Sequence, residues 1–149
     1  MADHMRKQIR DAAVAALTGL PTTGSNVFPS RVREIPVERL PALAVYTLNE
    51  ESERDAMGPP GTAPLARVVE LAVAAVAEEA AGLDDRLDQI CAEVEGVLGG
   101  TTFSGLVKGT VLEGTEVTIE GDKRQPLGVA RMTLSVLYRT PEGDPTTAA

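Results

Sequence analysis

The chain is poor in aromatic residues and in the side chains that most often build catalytic or metal sites. Its 149 residues include two Phe, two Tyr, one Cys, one His and no Trp. Proteins that stack single-stranded nucleic acid need several aromatic rings in series, so composition argues against that class. Cys91 has no second cysteine with which to form an internal disulfide. The core must therefore be built mainly from Val, Leu and Ala.

Positive charge is also in deficit. The chain has 14 Lys and Arg against 22 Asp and Glu, a formal charge of −8, and a pI near 4.7. This balance argues against a protein that tracks phosphates. No stretch approaches the ~20 apolar residues of a membrane span. Charges run through the apolar pattern at the start of the chain, unlike a secretory signal, so we expect a soluble protein made in a reducing compartment.

Length and composition predict one globular domain over residues 1–149, since 43% of the residues are hydrophobic. Residues 4–18 and 84–98 repeat apolar side chains at the spacing of amphipathic helices. Asp3 is the expected cap of the first helix, and Asp84 and Asp85 suit the start of the second. Cys91 lies on the apolar stripe of the second helix, which predicts a small core residue.

Strand patterns fill most of the remaining chain. Residues 27–32 and 42–48 predict strands early in the chain, and residues 110–120 and 128–139 predict an antiparallel pair near its end. Gly114 suggests a bulge in the third of these strands. In the last strand the side chains expected to point inward are Met132, Leu134, Val136 and Tyr138.

Three segments are harder to assign. Residues 65–80 fit a helical face and also alternate like a strand, and from the residues alone helix has a slight advantage. Residues 49–64 begin with charges and end in Gly and Pro, which predicts a long projecting loop. Residues 141–149 are polar and are expected to form a loose tail.

The sequence offers no group of residues suited to catalysis. His4, the single histidine, lies near the chain start, where a bystander role is expected. Neither of the glycine-rich phosphate-binding patterns, GxxxxGK[ST] and GxGxxG, occurs. Adjacent carboxylates such as Glu78 and Glu79 are more common on solvated surfaces than in metal sites. We therefore predict no enzymatic activity, no cofactor and no metal.

Apolar patterns in four stretches extend across nearly the whole chain. The stretches are RKQIRDAAVAALTGLPTTGSNVFPSRV, LPALAVYTLNEE, GLDDRLDQICAEVEGVL and GVARMTLSVLYRTPEGDP. Together, from about residue 4 to 145, they resemble the tail terminator family of long-tailed bacteriophages, which includes the lambda-type minor tail protein U. The shared features are patterns such as LPAL-x-VYT and L-x-V-x-YRT, with no chemical signature among them.

This resemblance implies an α/β (α+β) fold, with a mixed, mostly antiparallel sheet of four or five strands and two helices on one face. It implies that residues 67–77 form a strand. It further implies a homohexameric ring at the head-proximal end of the phage tail, assembled in the host cytoplasm. The ring would stop addition of major tail tube protein and join the neck protein of the head. Genomic DNA would pass through the lumen without sequence-specific binding, and an acidic lumen would repel its phosphates.

Contacts with other subunits are expected at an edge strand and at the predicted loop. Two arginines would point the same way from the strand that follows residue 27, and Arg forms forked pairs with carboxylates. The loop would serve as an arm that reaches a neighbour. The candidate contact residues are Arg31, Arg33, Glu50, Glu51, Arg54 and Met57.

Two other interpretations remain open at this point. The chain could be another head–tail joining or tail completion protein of similar size and fold. A ferredoxin-like module that binds a small ligand between sheet and helices is an alternative of a different class, and it predicts thermal stabilisation by some metabolite.

Overall fold

The computed structural model describes residues 2–29, 35–120 and 126–149. Two helices pack against a five-stranded sheet with the strand order β1-β2-β3-β5-β4. β1 runs parallel to β2, and every other pair is antiparallel. The predicted fold class is therefore confirmed. The elements are α1 Met5–Leu17, β1 Val27–Phe28, a 3₁₀ turn at Val37–Arg39, β2 Ala42–Arg54, β3 Pro64–Glu78, α2 Leu83–Leu98, β4 Gly109–Glu120 and β5 Leu127–Pro141.

Both helices cover the same face of the sheet, here called the inner face. Successive strand residues point to opposite faces, and on β3 the core includes Val69, Leu71 and Val73 but not Ala72 or Ala74. The predicted inward set on β5, from Met132 to Tyr138, belongs to the same core. The helices contribute Met5, Ile9, Ala13, Leu17, Leu83, Leu87, Ile90, Cys91, Val94 and Leu98. The core is aliphatic, as composition requires, with Tyr138 as its one fully buried ring.

The segment at residues 65–80 is a strand. β3 lies in the middle of the sheet and pairs with β2 on one side and β5 on the other. A central strand is buried by both neighbours, and this context overrides the helical preference of its alanines. The slight advantage given to helix on local grounds was wrong, and the strand implied by the resemblance is present.

The predicted loop is shorter than expected. β2 continues to Arg54 and β3 begins at Pro64, so the connection covers only residues 55–63, here called the hairpin tip. Both arms of the hairpin are therefore hydrogen-bonded strand. The register of β2 against β3 shifts between Thr47 and Glu50, so β2 carries a bulge on the way to the tip.

The bulge predicted in β4 is confirmed, whereas the first predicted strand is described only in part. The register shift between Leu112 and Gly114 confirms the bulge predicted in β4. The strand predicted from residue 27 is described only as Val27–Phe28. Arg31 and Arg33 lie outside the described residues.

The helix starts differ from expectation. His4 caps α1, because its Nδ1 accepts a hydrogen bond from the Arg6 N–H at 3.0 Å. Asp3 instead pairs with Lys7 one turn further on. α2 begins after Gly82 without any side-chain cap, so its two aspartates act only through their charge near the positive helix end. Neither helix in the described ranges is long and apolar enough to cross a membrane.

The C-terminal segment is packed rather than loose. The Met5 N–H donates to the Pro145 carbonyl at 2.7 Å, and the Gln8 amide donates to the Thr146 carbonyl at 2.9 Å. The Ala149 N–H donates back to the Arg139 carbonyl on β5. These bonds hold the segment against the first turn of α1 and against β5.

The contact between α2 and β5 depends on a glycine. A Cβ at Gly128 would lie 2.9 Å from Leu87 Cδ1 and 3.0 Å from Leu83 Cδ2. Gly128→Val should therefore force α2 outward and lower the free energy of unfolding by about 1–3 kcal/mol. Gly96→Ala is the matched control, because a Cβ there meets nothing within 4 Å and should stabilise the helix by up to about 1 kcal/mol. Urea unfolding measures both, and an unchanged Gly128→Val variant would contradict the packing described.

Candidate assembly surfaces

Glu50 is the centre of a buried polar cluster on the inner face. Its side chain is only 6% exposed. One carboxylate oxygen accepts the Tyr138 hydroxyl, and the other accepts Nη1 of Arg6 at 3.0 Å and Nη1 of Arg67 at 3.2 Å. Arg67 also donates from Nε to the Thr140 hydroxyl at 3.0 Å. These contacts join α1, β2, β3 and β5 at the end of the sheet nearest the hairpin tip.

The charged and polar groups of this cluster stabilise contacts within the subunit. Burial, the bond to Glu50 and the nearby negative charge raise the pKa of Tyr138 well above its ordinary value, so the phenol stays protonated and donates. Burial and the charge of Arg6 lower the pKa of His4, which favours the neutral ring that caps α1. The carboxylate of Glu50 is thus used within the subunit. This inward position does not favour the partner contact that the sequence suggested for it.

The hairpin tip is held in one shape by Glu142, which follows β5. One oxygen of Glu142 accepts Arg54 Nε at 2.7 Å and the Ala63 N–H at 3.2 Å, and the other accepts the Gly61 N–H at 2.8 Å. Arg139 forms an ion pair with Asp55 at the base of the tip. The tip is therefore tied to β5 from both sides.

The outer end of the tip exposes one large apolar side chain. Met57 is 99% exposed, so it touches almost nothing of its own chain. Residues 56–63 carry no charge, and the one carboxylate of the tip is paired with Arg139. Ordering the tip in advance lowers the entropic cost of docking it on a partner. The geometry thus suits Met57 to the contact role predicted for it.

The other predicted contact residues are spread over different positions. Arg54 is engaged with Glu142 and with the Pro59 carbonyl, and so shapes the tip. Glu51 is exposed on the face opposite the helices, here called the outer face. Among the predicted residues that are described, then, Met57 lies in the tip, Arg54 borders it at the end of β2, and Glu50 points inward.

The outer face combines acidic charge with an apolar patch. Residues that point to this face from β2 and β3 include Glu51, Glu53, Glu70 and Glu78. Val68 lies directly opposite Leu137, and Val111 on β4 faces Ser135, two residues from Leu137. The exposed fractions of Val68, Leu137 and Val111 are 39%, 41% and 53%. We call these three residues the outer-face patch. Sequence reasoning missed the patch, although Leu137 interrupts the alternation of β5.

β4 forms one edge of the sheet. Within the described residues, the edge of β4 that faces away from β5 makes one backbone hydrogen bond, in which the Gly100 N–H donates to the Thr110 carbonyl at 2.9 Å. Val117 and Ile119, which belong to β4, are half exposed and point to the inner-face side. The Gly114 bulge and the exposed Glu116 are features that discourage strand addition at such an edge.

Groups suited to other chemistry are few in the described ranges. No three of the His, Cys, Asp and Glu side chains there are arranged to hold a metal ion. Cys91 is buried, and burial raises the pKa of its thiol, which disfavours the reactive thiolate. The structure places it in the core, as predicted.

Removing the charge of Glu50 should weaken the fold. Glu50→Gln leaves the Arg67 guanidinium, 10% exposed, without its charge partner, and should lower the free energy of unfolding by about 3 kcal/mol. Glu51→Gln changes the same charge one residue away on the outer face and should stay within about 0.5 kcal/mol of the parent. Denaturant unfolding followed by circular dichroism compares the two. Equal effects would contradict the described role of Glu50.

The tip should loosen in acid. Hydrogen bonding to Arg54 and to the Gly61 and Ala63 amides lowers the pKa of Glu142 below its ordinary 4.5. The ordering of the tip by Glu142 is therefore complete above pH 4.5 and is lost as the pH falls through the lowered pKa. We expect the amide NMR shifts of Gly61 and Ala63 to titrate with a midpoint below 4.5, and not to titrate in Glu142→Gln. A midpoint at or above 4.5 would contradict this bracing.

Comparisons with known proteins add a structural similarity. No protein-family model matches the chain, and no curated protein matches it either. A solved structure titled "Virion of native gene transfer agent (GTA) particle" contains a chain that is similar over 90% of this chain and 91% of that one. The two are 17% identical, with a TM-score of 0.48. That chain is thus part of a virion particle.

Proposed function

We propose that this protein is a structural virion protein, a tail terminator that forms a ring on the head-proximal end of a phage tail tube. Catalysis has no part in the role, and no cofactor is required. The ring stops further addition of tube subunits and offers its other side to the neck of the filled head. The partners are copies of the chain itself, the major tail tube protein and the neck protein.

The observation that carries this proposal concerns β3. Local propensity favours helix over residues 65–80, whereas the family resemblance requires a strand there. The chain adopts the strand, with two helices on one face of a mixed sheet, which is the arrangement that the resemblance implies. Local propensity and the family resemblance give different predictions for residues 65–80. The strand found there agrees with the resemblance and so supports it as a whole.

The described surfaces suit assembly by competitive binding. One side of a ring complements the tube end, and the opposite side lacks the surface that another tube ring would need. The braced hairpin tip provides a preformed contact element. Arg31 and Arg33, whose charge complements this acidic chain, are kept as further proposed contacts. The net charge of −8 disfavours binding to DNA phosphates, as required of a ring through which a genome slides.

Particles assembled without this protein test the proposal. Tails should grow to uncontrolled length and fail to join heads, because nothing halts tube polymerisation. Electron microscopy of the lysate measures tail length and attachment, and supplying the intact chain in trans should restore both. Tails of normal length that still fail to attach would instead identify a head–tail joining protein, and normal attached tails would refute both roles.

Labelling the protein in complete particles supplies a second readout. Under this proposal a label fixed to the chain appears once per particle, as a single ring between tail tube and head. A label distributed along the tube, or located at the distal tip, would contradict the proposed position.

A further inference from the structure

The hairpin tip and the outer-face patch are two exposed apolar features of one molecule that do not cover each other. Met57 remains 99% exposed, and the patch residues remain 39% to 53% exposed. They account for four of the six large apolar side chains that are exposed in the described ranges. Within the part of the chain that the structure describes, each therefore keeps apolar surface uncovered.

From this pairing we infer that the outer-face patch receives Met57 of a neighbouring copy of the chain. The inference rests on the proposed function, because it assigns the contact that builds the ring. The occupant is a second copy because one chain carries both halves of the contact, an apolar side chain on a fixed loop and an apolar surface on a sheet. A long, unbranched Met side chain adapts readily to such a surface.

Charge supports the same pairing. Two copies of a chain with a charge of −8 repel each other, so the elements that meet must carry little negative charge themselves. Residues 56–63 have none, and Asp55 at the base of the tip is neutralised by Arg139. The tip can therefore approach the outer face, where Glu51 and Glu70 flank the patch, without adding a carboxylate to them.

The edge of β4 is a poorer choice for this contact. Strand pairing there meets the Gly114 bulge and exposed glutamates, and both oppose a regular ladder with an acidic neighbour. Ile119 on this edge is 44% exposed, close to the 41% of Leu137. It serves as a matched control for the patch.

In a ring this contact runs in one direction, so each copy donates its tip to one neighbour and receives the tip of the other. Each copy that donates a tip still has a free patch, and each copy that accepts one still has a free tip. Such contacts continue from copy to copy and close into a ring when the rotation between neighbours allows it. A two-fold contact would instead engage both tips and both patches of one pair and stop at a dimer.

A complementation experiment tests the contact by sedimentation velocity. Met57→Glu removes the donor and keeps the patch, whereas Leu137→Glu removes the patch and keeps the donor. Each variant alone should associate at least about tenfold more weakly than the parent. An equimolar mixture retains one intact tip and one intact patch, so it should form one-to-one complexes that grow no further. Val111→Glu, on the more exposed edge of the patch, is a second acceptor-deficient variant, and circular dichroism establishes that each variant is folded.

The controls separate the possible failures. Ile119→Glu should associate like the parent. If Ile119→Glu associates weakly while Leu137→Glu associates normally, the contact lies at the β4 edge and the inference is overturned. Normal association by both test variants, or no rescue in their mixture, would overturn it as well. So would a parent protein that stays monomeric at the highest soluble concentration. Tail length in particles lacking the protein is read independently, so the terminator role can stand while this contact fails.

Discussion

The architecture at the hairpin end depends on one buried carboxylate. Glu50 brings together a guanidinium from α1, a guanidinium from β3 and a phenol from β5, and the three contacts span 17 to 88 residues of sequence. A buried charge is tolerated only when its partners are in place. α1, the β2–β3 hairpin and β5 must therefore reach their native positions together. The position of the tip depends on all three.

A core almost without rings has a related consequence. Val, Leu and Ala pack closely but have no polar atoms that could fix one arrangement among several. Tyr138 is the exception, since its ring is fully buried while its hydroxyl is directed at Glu50. Polar contacts at this single end thus supply the orientation that aliphatic packing leaves less defined. The acidic surface opposes association of copies wherever like charges meet.

Much of the fold could be predicted from apolar periodicity, because both helices and the alternation of β5 are dictated by which side chains must leave water. What local patterns could not supply was the state of residues 65–80, which neighbouring strands decide. Nor could they show that Glu50 turns inward, since its partners come from Arg6, Arg67 and Tyr138. A buried tyrosine needs an acceptor, and this was the available signal. The bracing by Glu142 depends on a contact 79 to 88 residues away and left no local trace.

The bulge in β2 between Thr47 and Glu50 has a geometric consequence. A bulge bends its strand and increases its twist, and here its extra residue shifts the alternation, so that odd-numbered residues of β2 point inward before it and even-numbered residues point inward after it. It therefore sets the direction in which the tip leaves the sheet, while the core beneath stays as it is. In a head-to-tail assembly that direction fixes the angle between successive copies, and the angle decides how many copies complete a circle. In the proposed assembly, a single extra residue in β2 can in this way govern the diameter of the ring.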